Sequence, residues 1–321
     1  MRPTAPMLDS MTARVGIVVR TRRRPDFLRR ALSDIGAQTF VDHRVIVVND
    51  GGDPAEVESI VAGAGLDVSV LHIADGEGGR CVAANRGVRD AGTEYVVLHD
   101  DDDRWHPEFL SRTLAWLDAT PSDAAVAVPT EIVYEEKRDG AWVEAGRAPF
   151  WAGMQRISLT EMLSVNRAVP ISVLYRRSIH DEIGWYDESL DAVEDWDLYL
   201  RILRHGGIGF LPGEALAFWT QRPDATGLEA NSMFALTEAH AADDARVRDR
   251  ALAEWVGREG EGLPLYMAAL QAELKAHVDM RIEEAAGRLR ADIREDLRHE
   301  IDSHQPFWSR LRSLRRRVGR R

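Results

Sequence analysis

The feature of this sequence that most constrains its fold is an alternation, between residues 14 and 134, of short β-branched runs with amphipathic stretches. The apolar runs are Val15–Val19, Val45–Val48, Val68–Ile73, Tyr95–Leu98 and Ala125–Val128. The stretches with helical periodicity are Asp26–Gln38, Pro54–Gly63, Arg80–Arg89 and Pro107–Ala119. Because parallel strands need helical crossover connections, this order predicts an α/β fold with a mostly parallel sheet flanked by helices on both faces.

The pattern after residue 134 is less regular, yet no internal repeat or low-complexity linker interrupts it. The Asp139-Gly140 turn predicts a hairpin between Glu131–Tyr134 and Trp142–Ala145. Further predicted elements are a helix near Ser158–Ser164, a strand near Ser172–Tyr175 and a helix at Trp196–His205. We therefore assign residues 14–230 to one domain, preceded by a flexible N-terminus at residues 1–13.

Residues 231–302 are rich in Ala, Glu, Arg and Leu and almost free of β-branched runs, which predicts a helical C-terminal extension. Apolar side chains recur there every three or four residues, at Leu270, Leu274, Val278, Ile282, Ala286, Leu289, Ile293, Leu297 and Ile301. Such a stripe indicates one long amphipathic helix. Two interpretations stay open: the helix packs on the domain, or it forms a homo-oligomer as a coiled coil.

The last residues, 303–321, form a basic amphipathic tail in which Phe307 and Trp308 precede a cluster of arginines. Anionic lipid headgroups attract polybasic segments, so peripheral membrane contact and a solvated tail are both open interpretations. The net charge of the whole chain is −12. Because phosphate backbones favour basic surfaces, this charge argues against nucleic acid as a partner.

Sequence features also bear on the compartment. No apolar run approaches the roughly 18–20 residues of a membrane-spanning helix, and the start of the chain lacks the pattern of a secretory signal. The single cysteine, Cys81, excludes an internal disulfide framework and fits a reducing compartment. These features predict a cytoplasmic protein, with the tail as its candidate for membrane association.

Polar side chains follow three of the predicted strands, in the loops Arg20–Pro25, Asn49–Gly52 and His99–Asp103. Since ligands of parallel sheets bind at the carboxyl ends of strands, these loops are expected to meet at one edge. They would bring arginines and carboxylates together, a combination that suits a nucleotide diphosphate held partly through a divalent cation. The four adjacent aspartates from Asp100 repel one another unless a cation lies among them, and oxygen ligands select Mg²⁺ or Mn²⁺. The competing interpretation is a solvated acidic turn.

Several blocks of the sequence, taken together, resemble family 2 glycosyltransferases of the GT-A fold. The blocks are Thr21–Pro25, Gln38–Phe40, Val47–Gly51, Gly78–Gly79 with Ala83–Gly87, Asp100–Pro107, Ile183–Glu188 and Glu194–Leu198. They occur in the order and spacing of that family, over residues 14 to about 222. The resemblance implies an enzyme that moves a sugar from a nucleotide-diphosphate donor to an acceptor hydroxyl, with inversion at the anomeric carbon.

The resemblance also implies roles for individual residues. The residues that would bind the nucleotide sugar are Thr21, Arg23, Asp50, Arg80, Asn85, Asp100 and Asp101. Asp102 would ligate Mn²⁺ or Mg²⁺, and Asp195 would be the catalytic base, with Asp197 as its nearest competitor. An in-line displacement needs a base for the hydroxyl proton and positive charge for the departing diphosphate, which agrees with this assignment.

The sequence departs from the common family pattern at three places. Asn49 stands where many members have aspartate, Arg20 replaces a frequent proline, and the segment Trp219–Pro223 lacks an expected histidine, which leaves a third metal ligand in doubt. The donor nucleotide, UDP, dTDP or GDP, is left open. The acceptor is expected in polysaccharide, glycolipid or secondary glycoconjugate synthesis, and a lipid-linked acceptor is among the alternatives.

Two rival functions remain. One is a non-catalytic GT-A-like scaffold or binding protein. The other is a sugar-1-phosphate nucleotidyltransferase, which normally carries a glycine-rich loop after its first strand. Residues 20–25 contain no glycine, so this second rival is the weaker one.

Overall fold

A computed structural model describes residues 13–304, and its strands and helices confirm the predicted α/β class. The strands are β1 Val15–Thr21, β2 His43–Asp50, β3 Val68–Ile73, β4 Tyr95–Asp100, β5 Arg104–Trp105, β6 Ala125–Ala127, β7 Thr130–Arg138, β8 Ala141–Pro149, β9 Val173–Arg176, β10 Ile208–Phe210 and β11 Ala217–Gln221. The helices are α1 Pro25–Gly36, α2 Pro54–Ala62, α3 Arg80–Ala91, α4 Phe109–Ala119, α5 Leu159–Ser164, α6 Ile179–Ile183, α7 Glu194–His205, α8 Ser232–Ala235, α9 Thr237–Glu259 and α10 Gly262–His304. Single 3-10 turns lie at Pro170–Ser172 and Gly227–Glu229.

The main sheet has the strand order β10-β6-β9-β4-β1-β2-β3. Its pairs are parallel except where β9 lies antiparallel between β4 and β6. The sheet is therefore mostly parallel, as the strand–helix alternation predicts. With β4, β1 and β2 adjacent at its centre, their carboxyl ends lie at one edge.

The central strands are buried on both faces, which explains their continuous apolar sequence. All seven residues of β1 are buried. Val15, Ile17 and Val19 join an apolar cluster with α1, whereas Val18 joins another with α3. Gly87 lets α3 approach closely, because a Cβ at this position would overlap Val18. The core of the domain thus lies in two layers, one on each side of the sheet.

A second sheet with the order β5-β11-β7-β8 lies outside the sequence prediction. The predicted hairpin is confirmed as β7 and β8, which are longer than expected and turn at Asp139-Gly140. β11 pairs parallel with β7 and antiparallel with β5. This sheet joins the segment after the aspartate run to residues more than 100 positions later, because Trp105 lies opposite Ala217.

The starts of α1 and α4 show that a proline marks the first turn of one helix but not of the other. Pro25 occupies the first turn of α1, where its missing N–H costs nothing. Pro107 was expected in the first turn of the next helix, but α4 begins at Phe109. The Pro107 carbonyl instead accepts a bond from the Thr39 N–H at 2.8 Å, so this segment belongs to a turn against the end of α1.

The described chain divides into two compact units, residues 13–248 and 249–304. The predicted boundary at residue 230 therefore lies inside the first unit, because the start of α9 packs with the sheet domain. Val247, for example, is 5% exposed and belongs to the same apolar cluster as Trp196. Residues 1–12 of the predicted N-terminus and residues 305–321 of the predicted basic tail lie outside the described residues.

The second unit consists of the end of α9 and the 43-residue helix α10. The apolar side chains of its stripe, from Leu270 to Ile301, are exposed except for the half-buried Ala286. Self-association through this helix stays a prediction. Within residues 13–304, none of the helices combines the length and apolar character that crossing a bilayer requires.

Candidate active site

The carboxyl ends of β1, β2 and β4 bring the predicted loops together at one edge of the main sheet. In the strand register Arg20 lies opposite Asp100, and Thr21 lies opposite Asn49. The aspartate run follows β4 directly, so the backbone alone places the arginines of the first loop beside it. The predicted meeting of these loops is what the described fold shows.

Arg20 is the central cation of this edge. Its guanidinium donates to both oxygens of Asp100, from Nε at 2.8 Å and from Nη2 at 3.0 Å. Its Nη1 donates to Glu194 Oε1 at 3.0 Å. The Arg20 side chain is only 7% exposed, so the fork is held in a buried geometry. One arginine therefore joins the end of β4 to the start of α7.

Arg80, the first residue of α3, adds a second cation. Its Nε lies 3.5 Å from Glu194 Oε1 and its Nη2 lies 3.9 Å from Asp100 Oδ2. Burial by itself would raise both carboxyl pKa values, but the two arginines hold the pKa of Asp100 below its ordinary value. The same arginines lower the pKa of Glu194 to about 2. Both acids are therefore ionised at neutral pH.

Asp195 follows Glu194 in the sequence, but its pKa is shifted in the opposite direction. Burial, and then the negative charge of Glu194, raise the pKa of Asp195 to about 7. Its Oδ1 accepts from the Trp196 N–H at 2.8 Å and its Oδ2 accepts from the Asn166 amide at 3.0 Å. A half-buried carboxyl group whose pKa lies near neutrality can take a proton and release it again.

Asp197, the competing candidate for the base, has a different environment. It is 4% exposed, and its Oδ2 accepts from Arg201 Nη2 at 2.7 Å and Nε at 3.0 Å. This i to i+4 pair lies along α7 itself. The geometry therefore gives Asp197 a structural part in the helix and favours Asp195 as the reactive acid.

The segment next to Asn166 contains donors that have no acceptor among the described residues. Arg167 lies over the ring of Trp151, with its guanidinium carbon 4.1 Å from the ring centre. Arg167 Nε and Trp151 Nε1 are buried and make no hydrogen bond within residues 13–304. Such groups carry a desolvation cost that a bound ligand can relieve.

Within the aspartate run, Asp101 and Asp103 point into the protein. Asp101 is fully buried, pairs with Arg24 and receives a hydrogen bond from Thr21. Burial is the main cause that raises the pKa of Asp101 to about 7. Asp103 Oδ1 accepts from the Thr220 N–H at 2.9 Å, which attaches the run to β11. The side chains of Thr21, Asp101 and Asp103 thus form bonds within the protein. Contact of Thr21 and Asp101 with nucleotide stays a prediction.

Asp102, the predicted metal ligand, is paired with arginine. Its Oδ2 accepts from Arg222 and from the Asn231 amide at 3.2 Å, and lies 3.4 Å from Arg24 Nη1. Arg222 is fully buried and also donates to Glu135 at 3.3 Å. Among residues 13–304 no three His, Cys, Asp or Glu side chains are arranged to hold a metal ion. In this arrangement the residues do not fit a metal site, and Mn²⁺ or Mg²⁺ at Asp102 stays a prediction.

The end of β2 forms the other side of the edge. Asp50 is 9% exposed and packs against the backbone of Gly78, where any side chain would overlap its carboxylate. Arg23 has a positive φ of 55° and donates to the Gly51 carbonyl at 2.9 Å and to Asp75 at 2.6 Å. These contacts fix the shape of the loop that follows β2. Arg23 and Asp50 therefore lie together, as predicted.

The side chains of Asn49 and Asn85 form hydrogen bonds with backbone groups of the protein. Asn49 Oδ1 accepts from the Gly52 N–H at 2.9 Å and its amide donates to the Gly52 carbonyl at 2.9 Å. Asn85 is 1% exposed, and its side chain bonds both the N–H and the carbonyl of Tyr186 at 2.9 Å. The amide of Asn85 thus holds a neighbouring segment, and its contact with nucleotide stays a prediction.

Sequence reasoning identified the acids of this site but missed most of their partners. The missed residues that bond them are Arg24, Glu194 as an arginine partner, Asn166, Arg222 and Asn231. Arg20 had been noted for its charge, and the run of arginines at 22–24 was the available signal for Arg24. The segment Trp219–Pro223 had been noted only for its missing histidine, and no pattern in it pairs Arg222 with Asp102, 120 positions away.

The solved structures that resemble this chain include the N-terminal part of Staphylococcus aureus TarS, residues 1–349. That structure has a TM-score of 0.53 at 20% identity and covers 64% of this chain and 60% of its own. Its complex with UDP-GlcNAc has a TM-score of 0.55 at 19% identity, with 68% and 61% covered. At this identity the likeness shows the fold, which is that of a GT-A glycosyltransferase.

Relatives at the sequence level include the uncharacterized glycosyltransferase YwdF of Bacillus subtilis, 31% identical over 195 residues, with 59% of this chain and 67% of YwdF covered. The pre-mycofactocin glycosyltransferase of Mycobacterium tuberculosis is 28% identical over 193 residues, which are 60% of this chain and 39% of that protein. The chain thus spans two thirds of the first relative and well under half of the second. The family model described as "Glycosyl transferase family 2" matches residues 16–184, more than half of the chain. The protein therefore belongs to glycosyltransferase family 2.

Proposed function

We propose that this protein transfers a glycosyl group from a nucleotide-diphosphate sugar to an acceptor hydroxyl with inversion, and that Asp195 is the catalytic base. The observation that carries the proposal is the position of Asp195. A carboxyl group with a pKa of about 7 lies next to Glu194, at the edge where Arg20 and Arg80 gather positive charge. Base and cations on one edge are what a displacement at a sugar diphosphate requires.

The proposed step is a single displacement. The acceptor oxygen forms a bond to the anomeric carbon while the bond from that carbon to the diphosphate oxygen breaks. The hydroxyl proton goes to Asp195, and the electron pair of the broken bond goes to the departing diphosphate. Attack opposite the leaving group inverts the anomeric centre.

Partly exposed arginines are the groups that would stabilise the departing diphosphate. The side chain of Arg80 is 31% exposed and that of Arg22 is 53% exposed, so both can reach a ligand. Arg20 is buried and neutralises Asp100 and Glu194, which keeps these carboxylates from repelling the phosphates. No part of this step is assigned to a metal ion, because Asp102 is engaged by Arg222.

The acceptor would lie on the side of Asn166 and Arg167. Asn166 fixes one oxygen of Asp195, and the buried donors of Arg167 and Trp151 supply hydrogen bonds that no described residue accepts. An indole also offers a flat apolar face on which a sugar ring can stack. Acceptors of polysaccharide, glycolipid or glycoconjugate synthesis fit this surface, and a lipid-linked acceptor is included in the proposal.

The first experiment is thermal unfolding of the full chain with UDP, dTDP, GDP and CDP, each in EDTA and in Mn²⁺. A nucleotide at 100 times its dissociation constant stabilises by about 2.7 kcal/mol, so the midpoint should rise by several degrees. We expect UDP to give the largest shift, since the TarS fold relative was crystallised with UDP and UDP-GlcNAc. The selected nucleotide sugar is then assayed for nucleotide release with water as acceptor.

The EDTA arm tests the role of the arginines. If guanidinium groups supply the charge, the shift should persist in EDTA. A shift that needs Mn²⁺ and is lost in Asp102→Ala would instead indicate that Asp102 exchanges Arg222 for a cation on binding. Absence of any shift with all four nucleotides, in both arms, would contradict the proposed function and favour a non-catalytic scaffold.

A further inference from the structure

The first turns of α9 contact both segments that lead to Asp195. The helix begins at Thr237, well beyond the residues 16–184 that match the family. Its residues up to Arg248 belong to the first compact unit. In sequence this stretch looked like the start of an accessory extension. In the structure its polar side chains are directed at the backbone around the catalytic base.

Asp243 makes the central contact. It is 3% exposed, and its Oδ2 accepts from the backbone N–H of Asp191 at 2.8 Å and of Ala192 at 3.0 Å. Arg246, on the same helix, lies 3.2 Å from Asp243 Oδ1 and donates to the Ser189 carbonyl at 2.6 Å. The loop of residues 189–192 is therefore held through its backbone by two side chains of α9.

The loop held in this way ends in a strained residue. Val193 has φ 56° and ψ 18°, a left-handed conformation that is costly for a β-branched side chain. Its carbonyl accepts the Asp197 N–H at 3.0 Å, which is the first hydrogen bond of α7. Such a conformation persists only when the surroundings hold it. The bend at Val193 fixes the direction in which Glu194 and Asp195 leave the loop.

The next turn of α9 holds the other side of the base. Arg248 donates to the carbonyls of Leu163 at 2.8 Å and Ser164 at 3.1 Å, at the end of α5. Its guanidinium also lies 4.8 Å from the ring centre of Trp196. Two residues after Ser164 comes Asn166, which donates to Asp195. One helix therefore anchors both the loop that carries the base and the segment that carries its hydrogen-bond donor.

We propose that Asp243 is a positioning residue for Asp195, acting through the backbone of residues 191 and 192. The inference rests on the proposed function, in which Asp195 takes the acceptor proton. Without the Asp243 carboxylate, the N–H groups of Asp191 and Ala192 lose their acceptor, and Val193 is free to leave its left-handed conformation. The first turn of α7 would then rotate and move Asp195 relative to the anomeric carbon, while the donor contacts of β1, β2 and β4 stay in place.

The test compares variants of the full chain in nucleotide release from UDP-N-acetylglucosamine, or from the donor that thermal unfolding selects, with water as acceptor. Asp243→Ala should lower kcat about 100-fold, because small displacements of a reacting group have costs of this size. KM for the donor should stay within about twofold, since donor binding is separate. Asp243→Asn keeps an oxygen that can accept both amides and should restore most of the rate. Asp249→Asn removes an exposed carboxylate of the same helix and should change nothing.

Amide hydrogen exchange supplies a second readout that does not depend on turnover. In Asp243→Ala, exchange at residues 189–193 should become faster, while β1 stays protected as in the wild type. A folded Asp243→Ala protein with wild-type kcat and wild-type protection of residues 189–193 would overturn the positioning role. If Asp243→Ala does not fold, Arg246→Met decides, because it releases the Ser189 carbonyl and removes the cation that holds Asp243 Oδ1. A wild-type kcat together with wild-type exchange at residues 189–193 in that variant overturns the proposal.

Asp195→Asn separates this inference from the function on which it rests. Loss of turnover in Asp195→Asn together with wild-type turnover in Asp243→Ala would remove the positioning role alone. Full turnover in Asp195→Asn would remove the base assignment itself, and with it any residue argued to act through Asp195.

Discussion

Two groups of adjacent acids lie at the same edge of the sheet, the run from Asp100 to Asp103 and the pair Glu194 and Asp195. In each group one acid is ionised beside arginines: the pKa of Asp100 is lowered, and that of Glu194 is about 2. In each group the next acid lacks that pairing with Arg20, and burial raises the pKa of Asp101 and of Asp195 to about 7. The same electrostatic arrangement thus occurs twice.

The two groups differ in what surrounds the acid with the raised pKa. Asp101 is fully buried, pairs with Arg24 and accepts a hydrogen bond from Thr21. Asp195 is half-buried and bonded to Asn166, whose chain neighbour Arg167 has a buried Nε without an acceptor among residues 13–304. A raised pKa therefore indicates a reactive group only where the carboxyl is also accessible.

The largest effect is expected from Arg20→Gln, which breaks both groups at once. This change leaves Asp100 and Glu194 buried without their shared cation, and removing one partner of a buried ion pair costs about 3–5 kcal/mol. Urea unfolding should show this loss of stability. Arg14→Gln is the matched control, because Arg14 pairs with Glu94 and Asp118 but is 37% exposed, and exposed pairs contribute under about 1 kcal/mol. Equal losses in the two variants would contradict the central position of Arg20.

A smaller effect, confined to one group, is expected from Asp195→Asn. Loss of the proposed base should lower kcat about 100- to 1,000-fold, within the range of general base catalysis. The thermal shift given by the nucleotide should be unchanged, because the proposal places Asp195 on the acceptor side. Asp197→Asn breaks the pair with Arg201 and should lower the melting temperature while kcat changes little. A comparable fall of kcat in both variants would contradict the distinction between the two acids.

The smallest effect is a shift in pH dependence that isolates the interaction between Glu194 and Asp195. The proposed mechanism requires Asp195 to be deprotonated, so kcat should fall as pH drops through about 7. The charged and polar groups that face Asp195 are Glu194 on its own helix, Arg80 from α3, Asn166 before β9 and Tyr199 one turn later. Glu194→Gln removes a negative charge, so the fall of kcat should occur at lower pH than in the wild type. A fall of kcat at the same pH in both proteins would show that burial alone sets the pKa of Asp195.

The central sheet could be predicted because its strands are buried on both faces and therefore carry continuous β-branched runs. Strands β5 and β11 of the second sheet are short and half-buried, and they pair with each other across more than 100 positions of sequence. Trp105 pairs with Ala217, and no local pattern encodes that register. The second sheet was missed for this reason.

Asp50 and the run from Asp100 could be predicted because they stand at strand ends, where the fold places polar residues, and Asp195 could be predicted from the family resemblance of its block. Their environments could not, since they depend on contacts across the chain. Arg222 reaches Asp102 from 120 positions away, and Asp243 reaches Ala192 from another helix. Asn85 shows a second limit of sequence reasoning. The family resemblance implies that Asn85 binds the nucleotide sugar, whereas its side chain bonds the backbone of Tyr186.

Arg20 has a consequence for how sequences of this kind can change over evolutionary time. It binds Asp100 and Glu194, which lie 80 and 174 positions away from it. A lineage that neutralised either acid alone would leave surplus positive charge in the interior, and one that lost Arg20 alone would leave two repelling carboxylates. Positions 20, 100 and 194 should therefore change together among homologues, as a compensating set of three rather than as independent sites.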